Sequence, residues 1–103
     1  MTDWYAIPLG DALLAQPRLN ELEETLSAVY QRAGQPPDMA AGYRHRSGGV
    51  QCELTVYLTA AFQAHLGRPD AQSCPAPDGE GLGFLAGNRQ RLDRGAEQRS
   101  TPD

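Results

Sequence analysis

The chain has 103 residues, of which 40% are hydrophobic, and its 9 basic and 13 acidic residues give a net charge of −4. All basic residues are arginines, which excludes Schiff-base enzymes and P-loop proteins, because both use a lysine amine. The acidic balance argues against nucleic-acid binding, and no run approaches the roughly 18 apolar residues of a membrane-spanning helix. The first residues lack the positive charge of a secretory signal. We therefore expect one small soluble domain in the cytoplasm, with no nucleic-acid or membrane partner.

The first predicted elements are a strand and a long helix. Residues 4–9 form a short apolar run whose proline, Pro8, suits a strand end or an edge. Asp11 is placed to cap a short helical turn. A longer helix is predicted to begin at Pro17, because proline is favoured at the first helical position, and Gly34 followed by two prolines predicts its end. The apolar stripe of this helix consists of Leu19, Leu22, Leu26, Val29, Tyr30 and Ala33.

A strict alternation of apolar and polar residues begins at Val50 and is typical of a strand with one face on a core. Its apolar members are Val50, Cys52, Leu54, Val56, Leu58, Ala60, Phe62, Ala64 and Leu66. At about 3.3 Å per residue this run would extend roughly 56 Å, whereas a domain of this size has a radius of gyration of about 13 Å. Its last seven residues are mostly helix formers. We therefore expect the strand to end at Thr59 and a short helix, 60–66, to follow, with Phe62 inside and Gly67 as its end. The alternative is one long, bent strand that reaches into a neighbouring subunit.

The segment before this run, 41–47, is predicted to pair with it in a hairpin that turns at two consecutive glycines. In this register His45 lies opposite Cys52, and Arg44 lies opposite Glu53 as a cross-strand ion pair. A three-residue turn that includes the preceding serine would shift each partner by one residue and turn His45 outward. The register therefore decides whether His45 meets Cys52.

The rest of the chain is predicted to add one strand. Residues 68–79 are expected to be a loop, because they are rich in proline and glycine, and the apolar cluster 82–86 is expected to be the final strand. Residues 88–103 are expected to be a disordered charged tail. We thus predict a single α+β domain over 1–87, a small antiparallel sheet with one main helix packed on one face. Its β-α-β-β-(α)-β order is ferredoxin-like at the level of architecture.

No cluster in the sequence predicts a metal, a cofactor or a catalytic residue. The possible soft ligands lack the close pairs that are typical of structural zinc sites; they are His45, Cys52, His65 and Cys74. Cys52 is interpreted as a small buried apolar side chain, and Cys74 as a free cysteine in an open loop. The glycine-rich run 81–86 fits part of a dinucleotide-binding motif, but a strand before it and a helix after it are not expected.

The polar face of the predicted hairpin is the best candidate for a binding surface. Its residues are Arg44, Arg46, Gln51, Glu53, Thr55 and Tyr57. Arginine and tyrosine are enriched at protein interfaces, and a sheet face that no helix covers meets either water or a partner. We therefore predict a small non-enzymatic protein that uses this face to form a homodimer or to bind another protein.

The alternative function is that of a small-molecule or thiol-dependent enzyme. In that interpretation Arg44 or Arg46 would hold an anion, and His45 or Cys52 would supply the chemistry. Such a nucleophile and base must lie on one face and within hydrogen-bonding distance. A thiol that faces a core of leucines would have a raised pKa and would be inert, so the non-enzymatic function is preferred.

Overall fold

The computed structural model describes residues 4–48, 51–77 and 82–92, which form a five-stranded antiparallel sheet with two helices packed on it. The elements in chain order are β1 (Trp4–Asp11), α1 (Ala12–Arg32), β2 (Ala40–Gly48), β3 (Gln51–Thr59), α2 (Ala60–Leu66), β4 (Gln72–Cys74) and β5 (Gly83–Gly87). The strands lie in the order β4-β1-β3-β2-β5, and each neighbouring pair is antiparallel. The predicted α+β class is confirmed.

Helix α1 begins at Ala12 and not at Pro17 as predicted, so the short turn and the longer helix are one continuous element. Asp11 is the N-cap, and its side-chain oxygen accepts a hydrogen bond of 3.0 Å from the backbone N–H of Leu13. Pro17 lies inside the helix, where its missing N–H removes one helical hydrogen bond. The prediction failed because the cap and the burial of Ala15 against the core stabilise the helix before the proline.

The main core lies between the two helices and one face of the sheet. Its helical part follows the predicted apolar stripe and consists of Ala15, Leu19, Leu22 and Leu26 from α1 and Phe62 from α2. Its strand part includes the fully buried Ile7 of β1 and Leu54, Val56 and Leu58 of β3. The residues from β3 are two positions apart, as expected for a strand with one buried face. Both helices therefore cover the same face of the sheet.

The alternating segment changes from strand to helix at Thr59, as predicted. Phe62 is fully buried, and Gly67 ends α2 in the left-handed conformation with a φ of 63°. The alternative of one long strand is therefore wrong. The Thr59 side chain does not cap α2. Its hydroxyl oxygen accepts a hydrogen bond of 3.2 Å from the backbone N–H of Ala40, which joins the end of β3 to the start of β2.

The predicted register of the hairpin is wrong by two residues. Gly48 pairs with Gln51, so Gly48 belongs to β2 and not to the turn. His45 consequently lies opposite Leu54 instead of Cys52. Two consecutive glycines both accept turn conformations, so they do not determine which residues form the turn. Because side chains alternate with a period of two, a shift of two residues leaves each one on the predicted face.

The two edge strands also differ from the prediction. Residues 68–79, predicted to be a loop, contain β4, which pairs with the first three residues of β1. The predicted final strand, 82–86, is observed as β5, but it lies beside β2 at the opposite edge. The β-α-β-β-α-β arrangement is therefore completed by β4, and β5 is an addition to it. A strand of three residues has too short a pattern to be predicted.

Residues 88–92, the start of the predicted tail, pack on the sheet. The backbone N–H of Asn88 donates a hydrogen bond of 2.6 Å to the carbonyl oxygen of Met39. The side-chain oxygen of Asn88 accepts a bond of 2.9 Å that caps the helical turn leading to Leu92. Leu92 is only 8% exposed. The folded part of the chain thus continues to Leu92, and residues 93–103 lie outside the described residues.

The conformation and the surroundings of Gly87 lead to a first prediction. Its φ is 92°, and a Cβ atom there would overlap the backbone of Met39 and Ala40, whereas Gly34 has a similar φ of 88° and open space. We predict that Gly34→Ala lowers the free energy of unfolding by about 1 kcal/mol through backbone strain alone. Gly87→Ala should lower it by about 2 kcal/mol more, because the overlap adds to the strain. Urea unfolding followed by circular dichroism measures both losses, and equal losses would contradict the close approach.

The burial of Leu92 leads to a second prediction. Leu92→Ala should lower the free energy of unfolding by about 2 kcal/mol, because truncating a buried leucine removes contacts and leaves a cavity. Gln90→Ala changes an exposed side chain of the same turn and should alter stability by less than about 0.5 kcal/mol. The same urea experiment compares the two variants. If they are equally stable, residues 88–92 are solvated, as the sequence suggests.

Candidate binding surface

The face of the sheet opposite the helices, which we call the outer face, carries most of the predicted binding residues. Strand pairing and alternation assign to it Trp4, Ala6, Pro8, Ala40, Gly42, Arg44, Glu53, Thr55, Tyr57, Thr59, Cys74 and Phe84. Arg44 lies opposite Thr55. The predicted pairing of Arg44 with Glu53 is therefore wrong by two residues. The backbone of Arg46 pairs with Glu53 instead. The structure therefore brings Arg44, Glu53, Thr55 and Tyr57 onto one surface.

One end of the outer face is covered by the last described residues of the chain. Trp4 and Ala40 form a second apolar cluster with Leu92, and partly buried side chains such as Leu82 and Phe84 pack against it. Trp4 is only 5% exposed, although neither helix covers this face. The covered end therefore acts as a small second core.

The other end of the outer face is open. Pro8 and Glu53 are exposed, and Arg44, Thr55 and Tyr57 are half-buried. The guanidinium of Arg44 lies over the ring of Tyr57, 5.6 Å from its centroid, in a cation–π contact. This contact restrains two long side chains against the sheet. Side chains that are already restrained lose less entropy on being covered.

Sequence reasoning predicted Tyr57 on this face but missed Trp4 and Phe84. Phe84 carries a second cation–π contact, with the guanidinium of Arg89 at 5.5 Å from the ring centroid. Trp4 lies in β1 and Phe84 in β5, which are not neighbours in the sheet. Arg89 comes from the segment that was predicted to be a tail. Residues 4–9 are a continuous apolar run, which does not show the face on which Trp4 lies, and the position of Phe84 depends on β5 lying beside β2.

The structure separates the residues of the alternative enzymatic site. His45 and Leu54 are cross-strand partners, and Leu54 is part of the main core, so His45 belongs to the face that the helices cover. Arg44 lies on the outer face, on the other side of the sheet. His45 makes an edge contact with the ring of Tyr43 at 5.8 Å between centroids. Cys52 was predicted to be buried, but it is only half-buried. An arginine anion site and a His45–Cys52 pair therefore cannot form one active site.

Cys74 also differs from its prediction. It lies in strand β4 opposite Trp4, not in an open loop, and it is half-buried. Burial raises the pKa of its thiol, which makes the reactive thiolate scarcer near neutral pH. In the described parts of the chain, no group of three or more His, Cys, Asp or Glu side chains is arranged to hold a metal ion.

A second concave feature lies on the helix side of the molecule. A cleft of about 520 Å³ opens between β1, α1 and the loop that follows α2. Its border includes a bidentate ion pair in which Arg68 Nε and Nη2 donate to the two carboxylate oxygens of Asp70 at 3.0 and 2.8 Å. These hydrogen bonds lower the pKa of Asp70 and raise the pKa of Arg68. Sequence reasoning missed this cleft, because its residues come from three separate segments.

Comparison with known proteins adds no relative. No protein-family model matches the chain, and no curated protein or solved structure is significantly similar to it. Neither helix of the described residues combines the length and the apolar character that crossing a bilayer requires.

The ion pair leads to a prediction of pH dependence. The pKa of Asp70, measured from its side-chain carbon shift by NMR, should lie below the ordinary value of an aspartate and return to it in Arg68→Gln. Since the folded pKa is below the unfolded one, the pair stabilises the fold above the unfolded pKa, and this contribution disappears as the pH falls through the folded pKa. The side chains of Arg68 and Asp70 are 37% and 47% exposed, so water screens the pair and the contribution should be below about 0.5 kcal/mol.

The matched control for this titration is Arg32→Gln, an exposed arginine at the end of α1. It should leave the pKa of Asp70 unchanged. An ordinary pKa for Asp70 in the unmodified protein would contradict the bidentate geometry.

Proposed function

We propose that this chain is a small non-enzymatic protein that self-associates, with the open end of the outer face of one copy packed on that of a second copy. The observation that carries the proposal is the half-buried group Arg44, Thr55 and Tyr57, which lies on a sheet face that neither helix covers. The cytoplasm is the proposed location, and the unpaired Cys52 and Cys74 support a reducing compartment.

The residue types of the open end support a protein partner. Arginine and tyrosine are enriched among the residues that contribute most to protein interfaces. Tyr57 offers apolar ring surface together with a hydroxyl group, and Arg44 covers one side of that ring. Thr55 lies opposite Arg44 on the central strand, and its small side chain adds little bulk to the middle of this surface.

The charges of the open end support a second copy as that partner. A two-fold axis through the face would pack the same surface on itself, so that residues at the axis meet their own counterparts and residues away from it meet different residues of the other copy. The open end carries both a positive charge, Arg44, and an exposed negative charge, Glu53. Under this symmetry the arginine of each copy can approach the glutamate of the other, whereas a face with charges of one sign would repel itself.

The size of the surface indicates a weak dimer. Three central strands spaced by about 4.8 Å, with a rise of about 3.3 Å per residue over roughly five residues, give the open end an area of about 15 by 16 Å. This is below the roughly 800 Å² that each partner contributes to a standard interface. We therefore expect reversible association with a dissociation constant in the micromolar range.

Sedimentation velocity from about 5 to about 500 μM, which brackets a micromolar constant, tests the proposal. The unmodified chain should change from monomer to dimer over this range. Thr55→Arg should remain monomeric, because two long cations would meet near the two-fold axis. Ser27→Arg introduces the same charge on the exposed side of α1 and should dimerise like the unmodified chain.

Circular dichroism establishes that each variant is folded before the comparison. A chain that stays monomeric at every concentration would contradict self-association. Dimerisation of Thr55→Arg with unchanged affinity would place the interface elsewhere and would equally overturn the proposal.

A further inference from the structure

The cleft on the helix side has the size of a small-molecule site. Its volume of about 520 Å³ falls within the range of about 300–1,000 Å³ that is usual for ligand pockets. The residues that line it are Pro8, Leu9, Arg18, Glu21, Leu22, Thr25, Leu66, Arg68 and Asp70. Apolar side chains and a small number of charged groups thus converge on one space.

The sheet topology explains why this space is open. Strand β4 pairs with β1 only along Trp4, Tyr5 and Ala6. From Ile7 onward, the edge of β1 that points away from β3 has no strand partner within the described residues. Helix α1 passes over this edge, and the loop between α2 and β4 closes the third side. The short length of β4 therefore leaves the space beside Leu9 open.

The apolar part of the lining comes from three elements. Leu9 of β1, Leu22 of α1 and Leu66 of α2 meet in the cleft, and Leu9 and Leu66 are only half-buried. Both also pack against the main core. A ligand with a short hydrocarbon part could therefore bury these side chains further without disturbing the core.

The charged part of the lining favours one anionic group. Arg68 is already held by Asp70, and the backbone carbonyl of Arg68 accepts a hydrogen bond of 2.7 Å from Gln63, so this side of the cleft is fixed. Arg18 is exposed, and no ion pair of Arg18 is found within the described residues. Its guanidinium can therefore bind a carboxylate through two parallel hydrogen bonds. Glu21 lies on the same border and disfavours a dianion such as a phosphate monoester.

We propose that this cleft binds a small amphipathic monocarboxylate, with the carboxylate on Arg18 and the hydrocarbon part over Leu9, Leu22 and Leu66. The Arg18, Leu22 and Leu66 side of the cleft lies opposite the outer face, and Pro8, on the edge strand of the cleft, borders both surfaces. Ligand binding and self-association are therefore separate properties, and either can fail without the other.

Titration of the ¹⁵N-labelled full chain with octanoate, followed by amide chemical shifts, tests the proposal. Saturable shifts should appear at Leu9, Leu22 and Leu66. Arg18→Gln should weaken octanoate binding about tenfold or more, the loss expected when a charged hydrogen-bonding partner is removed. Arg32→Gln removes an exposed arginine from the same helix outside the cleft and should bind octanoate as the unmodified chain does.

Two further compounds test the head group with the same variants. Octanol should bind about tenfold more weakly than octanoate, because it lacks the charge that Arg18 recognises. Octyl phosphate should not bind more tightly than octanoate. Absence of saturable shifts at the three leucines, equal affinity in Arg18→Gln, or a preference for octanol or octyl phosphate would each overturn the proposal.

Discussion

The burial of one side of β3 is the constraint on which the rest of the structure depends. Leu54, Val56 and Leu58 are fully buried, and β3 is the central strand, bonded to β1 on one edge and β2 on the other. Both helices pack over these side chains, and α2 begins directly where the strand ends. Because the two sides of a strand alternate, the demand for apolar residues on one side leaves Thr55 and Tyr57 to the other. The alternation of side chains along β3 thus determines both the core and the outer face.

Much of the fold could be predicted from this alternation and from the helical stripe of α1. The change of structure at Thr59 followed from length and residue preference, since one straight strand would extend beyond the domain. The failures concern choices that local sequence leaves open. Proline is compatible with a helix start, but a cap at Asp11 and the buried Ala15 carry the helix through Pro17. Two glycines permit several turns, and the register was therefore wrong by two residues.

The candidate surfaces were predictable to different degrees. Arg44, Glu53, Thr55 and Tyr57 could be assigned to one face because period-two alternation is insensitive to a shift of two residues. Trp4, Phe84 and Leu92 could not be added to them, since their proximity depends on strand order and on the fold of residues 88–92. The cleft was beyond sequence reasoning for the same reason. Local patterns predict the side of an element that is buried, whereas long-range contacts decide which elements share a site.

The strand order has a consequence for how the chain acquires its fold during synthesis. Strand β1 is made first, yet both of its neighbours, β3 and β4, follow later in the chain. Its ladder with β3 requires roughly 50 further residues, which at about 5–20 residues per second takes several seconds on the ribosome. Until then Trp4 and Ile7, both buried in the finished protein, remain without their partners. The nascent chain therefore exposes an apolar strand edge for several seconds, during which it is open to chaperone binding or to misassociation.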